Sequence, residues 1–286
     1  MSDTSKIFLN KVTDEVVIEI LKALIPALNE ASIEYFIVGA FARDIDLLAA
    51  GHTDAPTRKT KDLDLAVMMA SEEDFEKMRK LVADLEDFGP HTNPELPYKF
   101  LFKKSYEIDF IPFGEIANEK GEVELKAHKT FILNIPGFDE VAPTVQTIAT
   151  HEADILKTAS LSGVVFLKLL AWQDRPEREK DIQDIVYILK NFMSLNYEEI
   201  SMEEDNLWDI YEDENRLFDE MVSARFIGRR INEMVSDSPV LRKRVLDLLA
   251  TESADATKSR MARLVDAEYL EDSTRLIGQL YLGMMD

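Results

Sequence analysis

Apolar positions along the first third of the chain recur in two rhythms. Over residues 13–28, Val17, Ile20, Leu21, Leu24 and Leu28 keep helical spacing behind Asp14 and Glu15, which predicts an amphipathic helix interrupted or ended near Pro26. Residues 34–39 (EYFIVG) are a short apolar run closing on glycine and read as a buried strand. Helical spacing returns over 40–50, a polar loop follows over 51–61, and 62–69 (DLDLAVMM) reads as a second strand. A helix beginning at Ser71 would put Phe75, Met78, Val82 and Leu85 on one face, with Ser71 and Asp74 at capping-box spacing.

Residues 99–103 and 106–112 then read as two strands joined by a very short turn at Lys104 and Ser105. The runs 122–133 and 144–157 read as further strands, with partial alternation at His151, Ala153 and Ile155. From Ser162 onward the pattern is helical. That change predicts an α/β (α+β) half over 1–160, a mixed sheet flanked by helices, followed by an all-helical half over 161–286. Residues 198–220 hold eleven acids and one base, Arg216, and read as a solvated helix face or long loop.

Composition narrows the function. A chain of 286 residues can divide its core between two domains. Its apolar runs fall short of a membrane span, and the N-terminal MSDTSKIFLNKVTDE lacks a basic stretch followed by an apolar one, so a soluble cytoplasmic protein is expected. Without cysteine there is no disulfide framework, no thiolate nucleophile and no cysteine zinc site. A net charge of −22 opposes long-range attraction to a nucleic-acid backbone, although a local basic cleft is compatible with it.

The chemistry concentrates in DLDL. Residues two apart on a strand point the same way, so Asp62 and Asp64 share a face while Leu63 and Leu65 turn to the core. Carboxylates held together repel unless a cation lies between them, and hard oxygen ligands suit magnesium. Taken alone, such a pair is more often two exposed acids on a half-buried strand. A third acid in the same grammar changes the weighting: in YEIDFIPFG, Ile108 and Phe110 face one side, Glu107 and Asp109 the other. Asp109 is preferred to Glu107 because it lies deeper in the apolar run. Three carboxylates can hold two metal ions about 3.5–4 Å apart. Upstream, Gly39 ends a strand where a helix begins, a turn at which backbone N–H groups can approach a phosphate, with Arg43 and Asp44 one turn further on.

In the second half, Val164 to Ala171 is apolar except for Lys168, which either snorkels to the surface or carries its ammonium toward phosphates. Arg175, Arg178 and Lys180 follow, and Asp181 and Asp184 share a helix face, as catalytic acids or as structural partners of Lys168 or Arg175. Arg58, Lys59 and Lys61 are candidates to clamp a triphosphate. Arg225, Arg229, Arg230, Arg242, Lys243 and Arg244 read either as an RNA-facing patch or, with more weight, as partners of the abundant acids. Kinase, P-loop and Gly-x-Ser-x-Gly motifs are missing, and His52, His91, His128 and His151 have no zinc-like spacing.

The order strand, glycine turn, helix, Asp-x-Asp strand, third-Asp strand resembles the polymerase-beta type of nucleotidyltransferase. VGAFARDIDLL also resembles the glycine–arginine–aspartate segment of tRNA CCA-adding enzymes. RKTKDLDLAV, EIDFIPFGEI and FLKLLAWQDRPEREKDIQDIVYIL together most resemble AbiEii-type toxin nucleotidyltransferases, over roughly residues 34–190. The resemblance implies an enzyme that uses magnesium, or manganese in its place, at Asp62, Asp64 and Asp109. It places a nucleotide contact at the Gly39 turn, a phosphate-neutralising Lys168, and an acidic motif at Asp181 or Asp184, while Ala40, Arg43, Arg58 and Lys61 are nucleotide-contact candidates by their own positions. It further implies transfer of a nucleoside monophosphate from a nucleoside triphosphate to an acceptor, an RNA (tRNA) end, with an antitoxin protein as a partner. Two other outcomes are compatible: a nucleotide-binding toxin–antitoxin interaction protein with little turnover, and an antibiotic-modifying nucleotidyltransferase. Ala40 departs from the superfamily's usual glycine or serine, which removes a hydroxyl contact and leaves the backbone one. The interval from Gly39 to Asp62 is longer than in the minimal signature.

Overall fold

The computed structural model describes residues 6–52, 62–126, 130–202, 207–211 and 216–286. Among them the chain forms two compact units, one ending at Ser160 and one beginning at Leu161, with Ala50–His52 belonging to the second.

In the first unit, α1 (Glu15–Glu30) buries Val17, Ile20, Leu21, Leu24 and Leu28. It passes through Pro26, beyond the stop expected there. Pro26 and Lys22, whose carbonyl loses its helical donor, both face solvent, which can satisfy the orphaned oxygen. β1 (Tyr35–Val38) is buried throughout and runs directly into α2 (Gly39–Ala49). β2 (Leu63–Met68) begins one residue later than expected, leaving Asp62 just ahead of it. α3 (Glu72–Ala83) is capped by Ser71, whose Oγ accepts from the Asp74 N–H at 3.2 Å.

β3 (Phe88–Pro90), β4 (Lys99–Phe102) and β5 (Tyr106–Phe113) follow. The β4–β5 turn is 103–105, with Lys103 and Lys104 both left-handed (φ 48° and 60°), and Phe102 pairs with Tyr106. Each long run read as strand resolves into two strands. The run 122–133 gives the separate hairpin β6 (Glu122–Leu125) and β7 (Phe131–Asn134). After α4 (Phe138–Val141), the run 144–157 gives β8 (Gln146–Ala149) and β9 (Ile155–Thr158). Between these, Thr150 N–H donates to the Asp154 carbonyl at 2.6 Å and Thr150 Oγ1 accepts from Ala153 N–H at 2.9 Å, so a turn overrides the alternation at His151 and Ala153.

Seven strands form one mixed sheet in the order β3-β4-β5-β2-β1-β9-β8. β2–β5 and β1–β9 are parallel and the other ladders antiparallel. α2 packs on β1, β2 and β9, and α3 on β3. Ile37, Leu65, Ile108, Phe110 and Leu156 are fully buried at the centre of the unit.

The second unit is helical: α5 (Leu161–Asp174), α6 (Glu179–Leu195), α7 (Tyr197–Met202), α8 (Leu207–Ile210), α9 (Phe218–Met234), α10 (Pro239–Ser253), α11 (Arg260–Val265) and α12 (Leu270–Gly283). α5 is apolar on nearly every side and buried accordingly. α9 and α12 cross at backbone contact, because a Cβ on Gly228 would stand 2.9 Å from the Gly283 Cα. The acid-rich stretch after residue 198 contains two short helices and segments outside the described residues.

Candidate functional site

The sheet lines up four residues in one register row. Val38 on β1 faces Asp64 on β2, Asp64 faces Asp109 on β5, and Asp109 faces Lys99 on β4. Residues directly opposite one another project from the same face, so Asp64, Asp109 and Lys99 stand side by side at strand spacing, about 4.8 Å per step. Leu63, Leu65, Ile108 and Phe110 take the other face and are buried, which fixes the phase.

Gly39 closes this row from above. Its φ is +71°, a left-handed conformation that favours glycine, and a Cβ there would lie 2.5 Å from Asp64 Oδ2. The missing side chain makes room for the Asp64 carboxylate. The same geometry sets that carboxylate beside the start of α2, where the partial positive charge of a helix N-terminus favours an anion.

Asp109 is held from the opposite side. Lys99 Nζ donates to Asp109 Oδ1 at 2.7 Å and Oδ2 at 2.9 Å, and to Glu107 Oε2 at 3.0 Å. Burial pushes the Asp109 carboxyl above its ordinary range, Lys99 pulls it back in part, and the charges of Glu107 and Asp62 add to the rise. For Lys99, burial alone would favour loss of the proton, but the hydrogen bonds and charges of Asp109 and Glu107 outweigh it and hold the ammonium above the usual lysine range. The Lys99 hydrogen bond also holds Glu107 below its ordinary value.

The donor chemistry fits a hard divalent cation: Asp64 and Asp109 offer adjacent carboxylates, and Asp62 lies near enough for its charge to reach Asp109. Among the described residues, no three His, Cys, Asp or Glu side chains are drawn together as a ligand group. Two features account for this. Asp62 is exposed and outside the β2 ladder, where a shared strand face with Asp64 was expected. Both oxygens of Asp109 already accept from an ammonium.

The remaining candidates fall in three places. Ala40 is half-buried at the start of α2, beside Gly39. Arg43, one turn on, is buried, and its Nε donates to Asp44 Oδ1 at 2.8 Å. Lys168 is buried on α5 and does not snorkel. Its ammonium is 2.5 Å from Asp184 Oδ2 and 3.3 Å from Asp181 Oδ1, both on α6, and Arg178 Nε is 3.2 Å from Asp181 Oδ2. Arg58, Lys59 and Lys61 lie outside the described residues.

The basic residues weighed as an RNA-facing patch are engaged with neighbours. Arg225 and Arg229 both bond Asp286, and Arg230 bonds Glu199 and Glu233. Arg242 donates to Asn232 and to the Met284 carbonyl, Lys243 pairs with Asp247, and Arg244 pairs with Asp174.

Sequence reasoning passed over Lys99. The signal was present in the hairpin: once Phe102 pairs with Tyr106, counting back three places sets Lys99 opposite Asp109.

No family model matches the chain, and no curated protein sequence matches it. Solved structures similar to it include the antibiotic-resistance factor ANT(2")-Ia in complex with adenylyl-2"-tobramycin, at 14% identity and a TM-score of 0.39, covering 59% of this chain and 86% of that one. An antigenic nucleotidyltransferase-like protein from Paracoccidioides brasiliensis is similar at 14% identity and a TM-score of 0.41, covering 82% and 94%. A CCA-adding enzyme in complex with ATP is similar at 14% identity and 0.31, covering 96% and 68%. Likenesses at that level are loose, and the fold assignment rests on the sheet order and register of this chain.

Proposed function

We propose that this protein transfers a nucleoside monophosphate from a nucleoside triphosphate to an acceptor hydroxyl, with release of pyrophosphate, at Asp62, Asp64 and Asp109. The observation that carries the reading is the side-by-side placement of Asp64 and Asp109 on adjacent parallel strands, under the left-handed Gly39 turn. Two neighbouring carboxylates repel each other and are costly to build unless a cation is to be managed there.

Magnesium, or manganese in its place, would be held by these three carboxylates and would neutralise charge on the phosphates. The chain's own contribution is position and charge. The acceptor oxygen attacks the α-phosphorus, the bond from that phosphorus to the oxygen bridging to the β-phosphate breaks, pyrophosphate leaves, and the acceptor proton passes to Asp109. Backbone N–H groups at Gly39 and Ala40 are the proposed phosphate contacts, with Arg58 and Lys61, which lie in sequence between α2 and β2. Arg43 supports the α2 turn through Asp44, and within the helical unit Lys168 is paired with Asp181 and Asp184.

For the acceptor, an RNA end is the reading that the sequence resemblance favours, and an antitoxin protein would be its regulatory partner. A small cationic acceptor, as in antibiotic modification, is favoured instead by a structural observation: the basic side chains of the helical unit named above are engaged with neighbouring groups. The test is incubation with each labelled triphosphate, magnesium, and either total tRNA or aminoglycosides, comparing wild type with Asp64→Asn. Label on one acceptor class that disappears in Asp64→Asn supports the reading. Transfer undiminished in Asp64→Asn removes the carboxylate row from it.

A further inference from the structure

Any cation approaching the carboxylate row meets an ammonium already there. Lys99 Nζ bonds both oxygens of Asp109, and the register of β4 against β5 fixes Lys99 directly opposite that residue. The pair is mostly enclosed, with side-chain exposures of 18% for Lys99 and 19% for Asp109. A second acceptor stands beside the first: Glu107, two residues earlier on the same strand face, takes a bond from the same ammonium at 3.0 Å and is 42% exposed. Lys99 therefore has one half-buried carboxylate and one open carboxylate within reach of a single ammonium.

Resting on the carboxylate site read above, we propose that Lys99 is a resident counter-ion that competes with the divalent cation for Asp109 and withdraws to Glu107 when the cation binds. The physics is that of two cations and one carboxylate. A divalent ion between Asp64 and Asp109 needs at least one Asp109 oxygen, and both are occupied by the ammonium. Like charges a few ångströms apart in a partly enclosed site repel strongly, so the ammonium gains by moving away once the ion arrives. Glu107 offers a place to move to without leaving the ammonium unpaired, which an isolated buried lysine could not tolerate. In the cation-free state the same lysine offsets the cost of a half-buried Asp109 charge. The affinity for the divalent ion is then lowered by the work of displacing Lys99.

Titration of the protein with Mn2+ in the absence of nucleotide, followed by electron paramagnetic resonance and calorimetry, tests this. Lys99→Met should bind Mn2+ more tightly than wild type, by on the order of tenfold, equivalent to about 1.4 kcal/mol. Lys99→Arg, which keeps the charge, should stay near wild type. Glu107→Gln should bind more weakly, because Lys99 loses the second carboxylate charge it would withdraw to. Unchanged or weaker Mn2+ binding in Lys99→Met overturns the proposal. Should Lys99→Met fail to fold, the wild type still decides: the 15N side-chain resonance of Lys99 should shift on Mg2+ addition as its bond to Asp109 is lost. A resonance unmoved while Mg2+ binds overturns the proposal and leaves the carboxylate site standing. Wild type that binds neither ion, or Asp64→Asn that binds Mn2+ as well as wild type, overturns the site itself.

Discussion

Gly39 and Asp64 are fitted to each other: the space a Cβ would need at Gly39 is occupied by Asp64 Oδ2, 2.5 Å away. The fit explains why the chain passes from β1 to α2 at a glycine. Gly39→Ala should cost about 1–2 kcal/mol for the left-handed backbone alone, and more for displacing the carboxylate. The steric part is separable by a double-mutant cycle in thermal or urea denaturation. Asp64→Ala removes the oxygen that collides, so the double variant should be more stable than the two single costs predict, by at least about 0.5 kcal/mol. Strict additivity would mean that Gly39 serves the backbone alone.

Lys168 leads to a different expectation from that of a lysine at a surface. Its ammonium joins α5 to α6 through Asp181 and Asp184, and the lysine and Asp181 are both buried. Replacing it by methionine keeps the stem but removes the cation that two carboxylates share, a loss that should destabilise the fold by about 3–5 kcal/mol. Adding Asp184→Asn to Lys168→Met should recover part of that loss. Urea denaturation measures both. A Lys168→Met protein within about 1 kcal/mol of wild type would show that the carboxylates find other partners.

Asp286 gives a pH-dependent prediction with a definite sign. Burial alone would raise its carboxyl, but hydrogen bonds and charges from Arg225 and Arg229 outweigh it and hold it below its ordinary value. A carboxyl depressed in the folded state contributes stability that is fully present above its unfolded pKa, about 3.9, and is lost as pH falls through the folded value. Asp286→Asn should therefore melt below wild type at pH 7, by about 1 kcal/mol for a partly exposed pair. The gap should close as pH falls below the unfolded value and through the lower folded one. A gap that stays constant across that range would assign the effect to lost packing.

Much of the candidate site was legible because carboxylates alternate with large apolar residues. Leu63 and Leu65 fix the phase of Asp64, as Ile108 and Phe110 fix that of Asp109, and phase is what a period of two encodes. Register is not encoded that way. A two-residue turn at Lys104 and Ser105 would pair Lys103 with Tyr106 and put Phe100 opposite Asp109. The observed three-residue turn slips the pairing by one and brings Lys99 there instead. Two lysines in left-handed conformation, 103 and 104, are a turn that residue preference does not announce. The partners of Lys168 were visible because Asp181 and Asp184, three apart on a helix, share a face. Pro26 misled because the rule that proline ends a helix assumes a buried, irreplaceable bond, and this one faces solvent.

The acceptor prediction follows from where the basic side chains are spent. In the helical unit, Arg225, Arg229, Arg230, Lys243 and Arg244 are each tied to a carboxylate, and Arg242 to an amide and a carbonyl. The chain as a whole carries −22. We propose that a polyanionic acceptor is met by few cations, with Arg58, Lys59 and Lys61, between α2 and β2 in sequence, as the candidates. Each phosphate neutralised contributes about 0.7–0.9 to the slope of log affinity against log salt, so three contacts give a slope of about 2–3. Transfer of label to tRNA across a salt series should show that shallow dependence, and Lys59→Ala or Lys61→Ala should reduce the slope by about one contact's worth, 0.7–0.9. A slope above about 6 would mean that the helical unit's ion pairs open to receive RNA, and would overturn the view that its arginines are structural.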